Sequence, residues 1–190
     1  MIQSTDTIKK DVLSGLKSNL RKHISKEKVE FLPRFFKTGK GEYGEGDMFI
    51  GVTVPNCRLV AKKYKNLSFS EIQKLLKSRI HEERLVALLI LVENFRKGNK
   101  KDRLNIYNFY LAVIKYINNW DLVDLSSEYI VGKYILDNPN CATTFKGRTL
   151  KGTELFEYLA RSENLWERRI AIISTFEFIR NNRFGETLKI

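Results

Sequence analysis

The chain has 190 residues, enough for one compact domain or one short array of repeats, and its 43% hydrophobic and 12% aromatic content excludes a disordered tail. A formal net charge of +12 favours a polyanionic partner, nucleic acid before a membrane surface, because cationic side chains release counterions from phosphates. The longest purely apolar stretch, residues 85–92, falls far short of the roughly 20 residues that cross a bilayer, and residues 1–10 lack the apolar segment of a secretory signal.

Taken in chain order, the pattern is helical. Ile8, Val12, Leu16 and Leu20 recur every four residues on one face of a first helix, with Ser4 and Thr5 where N-caps are favoured. A second helix is predicted over 26–36, with Val29, Leu32 and Phe36 inward and Pro33 marking a kink or division. Residues 38–55 break the pattern with Gly39, Gly41, Gly44, Gly46 and Gly51, and read as an extended loop that ends where Pro55 starts the next helix. Leu59, Val60 and Tyr64 mark that helix; Ile72, Leu75 and Leu76 mark its successor, introduced by Ser68 and Ser70. A strongly buried helix is predicted over 82–95, closed by Gly98. Phe109, Val113, Tyr116 and Ile117 give the next stripe, and 120–136 reads as a further helix despite Gly132. Residues 137–152 are loop-like, and 155–161 and 165–181 supply two more helices. No window shows strand alternation.

About eight or nine helices with short connections fit antiparallel pairs stacked side by side, as in repeats of about 40–47 residues. The internal repeat signal is poor, and helix content alone fits an irregular bundle equally well. Cys57 and Cys141 lack metal or disulfide spacing and read as free thiols. His23 and His81 are the only histidines, which argues against a His-rich metal site or a Ser-His-Asp triad. The expectation is a cytoplasmic protein with neither metal nor cofactor.

Three segments interrupt the helical code. Residues 43–52, Tyr43 to Val52 with Pro55 and Arg58 beyond, are rich in glycines that allow close approach to a ligand, or form a surface loop packed through Phe49 and Val52. In Asn119-Trp120-Asp121-Leu122-Val123-Asp124, Trp120 and Asp124 share a helix face; the plainer alternative is a core Trp and an Asp paired with a nearby Arg or Lys. In Asn164-Leu165-Trp166-Glu167-Arg168-Arg169 the adjacent arginines diverge by about 100° on a helix. One faces solvent or phosphate while the other points to a neighbouring helix pair, binding phosphate, holding Asp124 ionised, or forming a structural salt bridge.

Together the segments YGEGDMFIGVTVPNCR, NNWDLVD and SENLWERRIAI, in that order, resemble the AlkD-like family of DNA alkylation-repair glycosylases over residues 25–180. The resemblance implies an all-α fold, a right-handed superhelix (solenoid) of HEAT-like antiparallel helix pairs whose concave basic surface cradles duplex DNA. The whole of residues 1–190 would be one helical-repeat DNA-binding domain. It implies catalytic roles for Trp120, Asp124 and Arg169, the last as a DNA contact near the lesion. Tyr43, Arg58, Lys62, Lys63, Trp166 and Arg168 are the expected DNA-binding residues, and the substrate is duplex DNA carrying cationic 3-methyl- or 7-methyl-type purines. The cell compartment implied is the cytoplasm, with the protein on the nucleoid when bound to DNA.

Two departures stand out. The sequence ends at Ile190 without the AxGWxLRE-like motif whose Trp joins the family's active site, and the connection over 138–152 is long. A last helix without its usual neighbour is expected to expose some of Ile172, Ile173, Phe176 and Ile179 and to drive self-association. Three functions remain open: a glycosylase, a helical-repeat DNA-binding module without competent chemistry, and a scaffold for an acidic protein partner. Steep salt dependence of DNA affinity separates the first two from the third. Base release that is lost in Asp124→Asn separates the first from the second.

Overall fold

The computed structural model describes residues 4–190, and their side chains from residue 12 onward. It is mostly helical and divides into two compact units, the first ending at Ile90 and the second beginning at Leu91.

The first unit begins with α1 (Ser4–Arg21), so Ser4 and Thr5, expected just before it, already lie within the helix, and their side chains and that of Ile8 are outside what is described. Leu16 and Leu20 are fully buried, whereas Val12 is 38% exposed. The helix expected over 26–36 divides at Pro33 into α2 (Lys26–Phe31) and a 3-10 turn, Leu32–Phe35. Phe36 is buried, but Val29 faces outward, because so short a helix turns only part of its apolar set inward. Pro55 opens α3 (Val54–Lys63), whose inner face is Cys57, Val60 and Ala61; Leu59, expected inside, is 61% exposed. Ser68 and Glu71 form a reciprocal capping box at the start of α4 (Phe69–Leu76), which satisfies donors that a helix start leaves unpaired. Cys57 and Cys141 are both free thiols.

In α5 (His81–Lys97) every residue from 81 to 92 is buried, including four consecutive polar ones. A buried polar side chain is costly unless it is paired, and each of these four finds a partner, His81 and Arg84 sharing Asp47. Glu82 accepts the backbone N–H groups of Ile50, Gly51 and Val52 at 3.0, 2.9 and 3.2 Å. Glu83 holds Lys17 of α1 at 2.9 Å, and Arg84 holds Asp47 at 2.6 Å. The His81 ring stacks on Phe49 at 4.6 Å, with Nδ1 3.3 Å from Asp47. The glycine-rich loop is thus pinned to α5, and a short bridge between Met48 and Ile80 continues the attachment. Gly51 is required where it stands: its φ is +78°, and a Cβ would meet Ser25 O at 2.4 Å.

The second unit contains α6 (Lys100–Ala112), capped by Asn99 and Asp102, followed by a 3-10 turn, Ile114–Tyr116. Val113 and Ile117 are buried as expected, while Phe109 and Tyr116 are only half-buried because the helix tightens after Ala112. The stretch read as one helix over 120–136 is three pieces: α7 (Trp120–Asp124), a π-helical turn, Glu128–Gly132, and α8 (Lys133–Asp137). The expected loop over 137–152 contains a hairpin, β1 (Ala142–Phe145) paired antiparallel with β2 (Arg148–Lys151), so the all-α expectation holds apart from these two short strands. Lys146 and Gly147 both take positive φ at its tip, the two-residue turn that suits strand twist. The strands escape sequence reading because Thr143 and Phe145 are the only buried pair in a weakly apolar segment; Tyr107 meets Thr143 at 2.8 Å.

The last elements are α9 (Glu154–Ala160), α10 (Leu165–Ser174), α11 (Phe176–Arg180) and α12 (Gly185–Leu188). The helix expected over 165–181 breaks at Thr175, whose hydroxyl donates to Ile172 O at 2.7 Å. Gly132 explains itself here, since a Cβ would fall 2.2 Å from Ser174 O; only glycine lets α10 lie against the π-helical turn.

Two stability predictions follow from these contacts. Glu82→Ala strands three backbone donors and is expected to cost about 3 kcal/mol or more in urea unfolding, since one unmet buried donor costs about 1–3 kcal/mol. Gly132→Ala must push backbone from backbone and is expected to cost about 1–3 kcal/mol in the same measurement; an unchanged midpoint in either variant contradicts the assigned contact.

Candidate active site

The site is built on α7 and α10 of the second unit. Asn119 is fully buried in an extended conformation, and its Oδ1 accepts the N–H of Trp120 at 2.8 Å, which starts α7 at the tryptophan. Asp121, Leu122 and Val123 turn inward, leaving Trp120 and Asp124 half-exposed one turn apart on the other face. Behind them Ser126 donates to Leu122 O at 2.5 Å and meets the buried Tyr110 hydroxyl at 2.9 Å, which locks the end of α7. Burial holds the Tyr110 phenol well above the ordinary tyrosine range, so it stays protonated as a hydrogen-bonding group.

On α10, Asn164 accepts the N–H groups of Trp166 and Glu167 at 2.8 and 3.3 Å and caps the helix. The two arginines then diverge. Arg168 is exposed and folds back, its Nη1 donating to Ser162 O at 2.7 Å and Glu163 O at 2.8 Å. Arg169 crosses to α7 and grips Asp124 with two parallel bonds, Nε to Oδ1 at 2.8 Å and Nη2 to Oδ2 at 2.7 Å. Such a fork fixes the carboxylate plane as well as its charge. The pair is open to solvent, with side chains 37% and 33% exposed, and each carboxylate oxygen keeps a second lone pair. Glu167 turns the opposite way and is nearly buried under Lys146, at 2.6 and 2.8 Å, with Ser162 Oγ at 2.7 Å. Half-buried Trp166 lies one turn before Arg169 on α10.

Of the residues singled out by sequence, Trp120, Asp124, Trp166, Arg168 and Arg169 belong to these two neighbouring helices. Tyr43, Arg58, Lys62 and Lys63 lie in the first unit: Tyr43 is half-buried in the glycine-rich loop, and the other three are exposed on α3, with Lys63 5.8 Å from the Tyr64 ring. Arg169 was expected as a DNA contact, and in the free protein its guanidinium is engaged by Asp124. Sequence reading passed over Asn119, Asn164 and Lys146. The two asparagines carry a legible signal, the cap residue directly before a tryptophan-led helix; Lys146 carries none, because only the hairpin delivers it to Glu167.

Among the described residues, no group of three or more His, Cys, Asp or Glu gathers as metal ligands. Nor is any helix long and apolar enough to cross a membrane. The arrangement offers an oriented carboxylate and a neighbouring indole face, which suits an electron-poor, positively charged group.

No curated protein matches the chain. A family model described as DNA alkylation repair enzyme matches residues 16–190, a span that takes in the glycine-rich loop, both helices of the Asp124–Arg169 pair and everything between them. With the match extending over nearly the whole sequence, the chain belongs to the DNA alkylation repair enzyme family.

Proposed function

We propose that the chain is a DNA repair glycosylase that hydrolyses the N-glycosidic bond of cationic alkylated purines, of the 3-methyl or 7-methyl type, in duplex DNA. The observation that carries this reading is the two-bond grip of Arg169 on Asp124, one helical turn from Trp120. In this reading residues 1–190 act as one helical-repeat DNA-binding domain, a HEAT-like superhelix working in the cytoplasm on the nucleoid.

An alkylated purine carries its positive charge on the ring, so the C1′–N bond breaks with its electron pair neutralising the departing base. Little acid catalysis is needed for such a leaving group. The Trp120 face attracts the cationic ring, an interaction of about 0.5–2 kcal/mol as water is excluded. Charge then builds on the sugar, and the Asp124 carboxylate stabilises that oxocarbenium character and orients the water, whose oxygen bonds to C1′ as its proton passes to the carboxylate. Arg169 is a positioning residue: its fork keeps the carboxylate in one plane while the free lone pairs face the substrate. Arg58, Lys62, Lys63 and Arg168 neutralise phosphates, with Tyr43 and Trp166 as further DNA contacts.

The testing experiment is release of methylated purines from alkylated duplex DNA. Asp124→Asn is expected to lower release by about 100-fold or more, the scale for losing a preorganised charged group, with duplex affinity retained. Arg169→Lys keeps the charge but not the fork, and is expected to lower kcat more than it raises KM. Wild-type release that survives unchanged in Asp124→Asn defeats the assignment. Binding without release by the wild type leaves a DNA-binding module.

The reading also includes self-association. Ile172 and Phe176 are 37% and 41% exposed, whereas Ile173 and Ile179 are half-buried, so the first two carry the apolar face. Light scattering is expected to show a mass that rises with concentration and falls in Ile172→Lys; a strictly monomeric wild type rejects this part.

A further inference from the structure

On the first unit, a cleft of about 510 Å³ is lined by Leu13, Ser14, Lys17, Ser18 and Arg21 of α1 and by Lys74 of α4. Ser14, Lys17, Ser18 and Arg21 fall at i, i+3, i+4 and i+7, one stripe along the helix about 10 Å long. Among the described side chains, the lining holds three cations and two hydroxyls, and no carboxylate.

The described acid that meets two of these cations is the buried Glu83, which is 1% exposed. It meets Lys17 at 2.9 Å and Arg21 at 3.8 Å. Among the described side chains, one carboxylate faces three cations, an excess of positive charge. Glu83 also fixes Lys17 in place by charge, in an ion pair without hydrogen-bond geometry, and an ammonium has three donors. A cation already held gives up less freedom on meeting a ligand. Lys74 meets no acid among the described residues.

The cleft beside the hairpin is different. There Lys146, Arg148 and Arg161 share the lining with Glu154, Glu157 and Glu167, as many acids as cations, and Lys146 is paired with Glu167.

We infer that the cleft between α1 and α4 is a phosphate-binding site whose ligand is the phosphodiester backbone of duplex DNA. The inference rests on the reading of this chain as a duplex binder. An extended row of donors, open along its length, suits successive singly charged phosphates better than one free dianion. Its length of about 10 Å runs beside about three nucleotide rises of one strand, at about 3.4 Å each. The site adds a backbone contact on the first unit, carried by residues distinct from the Asp124–Arg169 pair.

The test measures affinity for a short unmodified duplex by fluorescence anisotropy over a salt series, in the full chain. Lys74→Gln is the chosen variant because Lys74 is exposed and bonded to nothing buried, whereas Lys17→Ala strands Glu83. Lys101→Gln, at an exposed position of α6, is the control. Lys74→Gln is expected to reduce the slope of log affinity against log salt by about 0.9, one phosphate contact, and Lys101→Gln to leave it unchanged. Equal slopes for wild type and Lys74→Gln overturn the cleft while leaving the repair reading intact. A wild type that binds no duplex overturns both. Inorganic phosphate that displaces duplex from the wild type beyond its ionic-strength effect, and does so less in Lys74→Gln, identifies a free-phosphate site and overturns the backbone assignment.

Discussion

Buried charge must be met, and at the start of α5 that demand organises the first unit. His81, Glu82, Glu83 and Arg84 are 2%, 2%, 1% and 6% exposed, in a helix whose next eight residues are all apolar. Three of them hold the glycine-rich loop, Glu82 through its backbone donors and His81 and Arg84 through Asp47, while Glu83 reaches α1 through Lys17. Removing one partner from such a set leaves an uncompensated charge, typically costing about 3–5 kcal/mol, so the loop's path is fixed by electrostatics rather than by its own sequence preference. The motif that looks most like a ligand loop is, in the free protein, an anchored strap.

The second unit relies on the same economy of polar contacts, placed at its surface. Gly132 allows α10 to approach the π-helical turn, and that approach brings Arg169 within reach of Asp124. Asn119 and Asn164 set where the two helices begin, and hence which faces Trp120 and Arg169 occupy. An ion pair about one-third exposed contributes little to stability by itself. In the proposed reaction its value lies in orientation, because a carboxylate held by a planar fork has one plane in which to meet a developing positive charge. The neighbouring Glu167 is paired off by Lys146, which leaves Asp124 as the acid that faces outward between these helices.

The distribution of cations completes the picture. Those tied by buried acids, such as Lys17, hold fixed positions, whereas Arg58, Lys62 and Lys63 stand exposed on α3. A polyanion gains most from the first kind through geometry and from the second through counterion release.

The sequence by itself determined the helical character, the cap at Ser68, the helix start at Pro55 and the placing of Trp120 and Asp124 on one face; the caps at Asn119 and Asn164 are as local but were passed over. These are local matters, set by hydrogen-bond donors at helix ends and by the 3.6-residue period. The divergence of Arg168 and Arg169 was legible for the same reason, since their angle is a property of one helix. Only the tertiary structure decided that Arg169 would close on Asp124, because those residues are 45 positions apart and meet through packing of α10 on α7. It likewise decided the hairpin within 137–152, whose register depends on Tyr107 and Tyr158 waiting to receive Thr143 and Phe145. The outward turn of Leu59 and Val29, the π-helical break before Gly132 and the partners of Glu82 and Glu83 belong to the same class. Each depends on which distant surface is there to be met, and a pattern read along one chain carries no record of that surface.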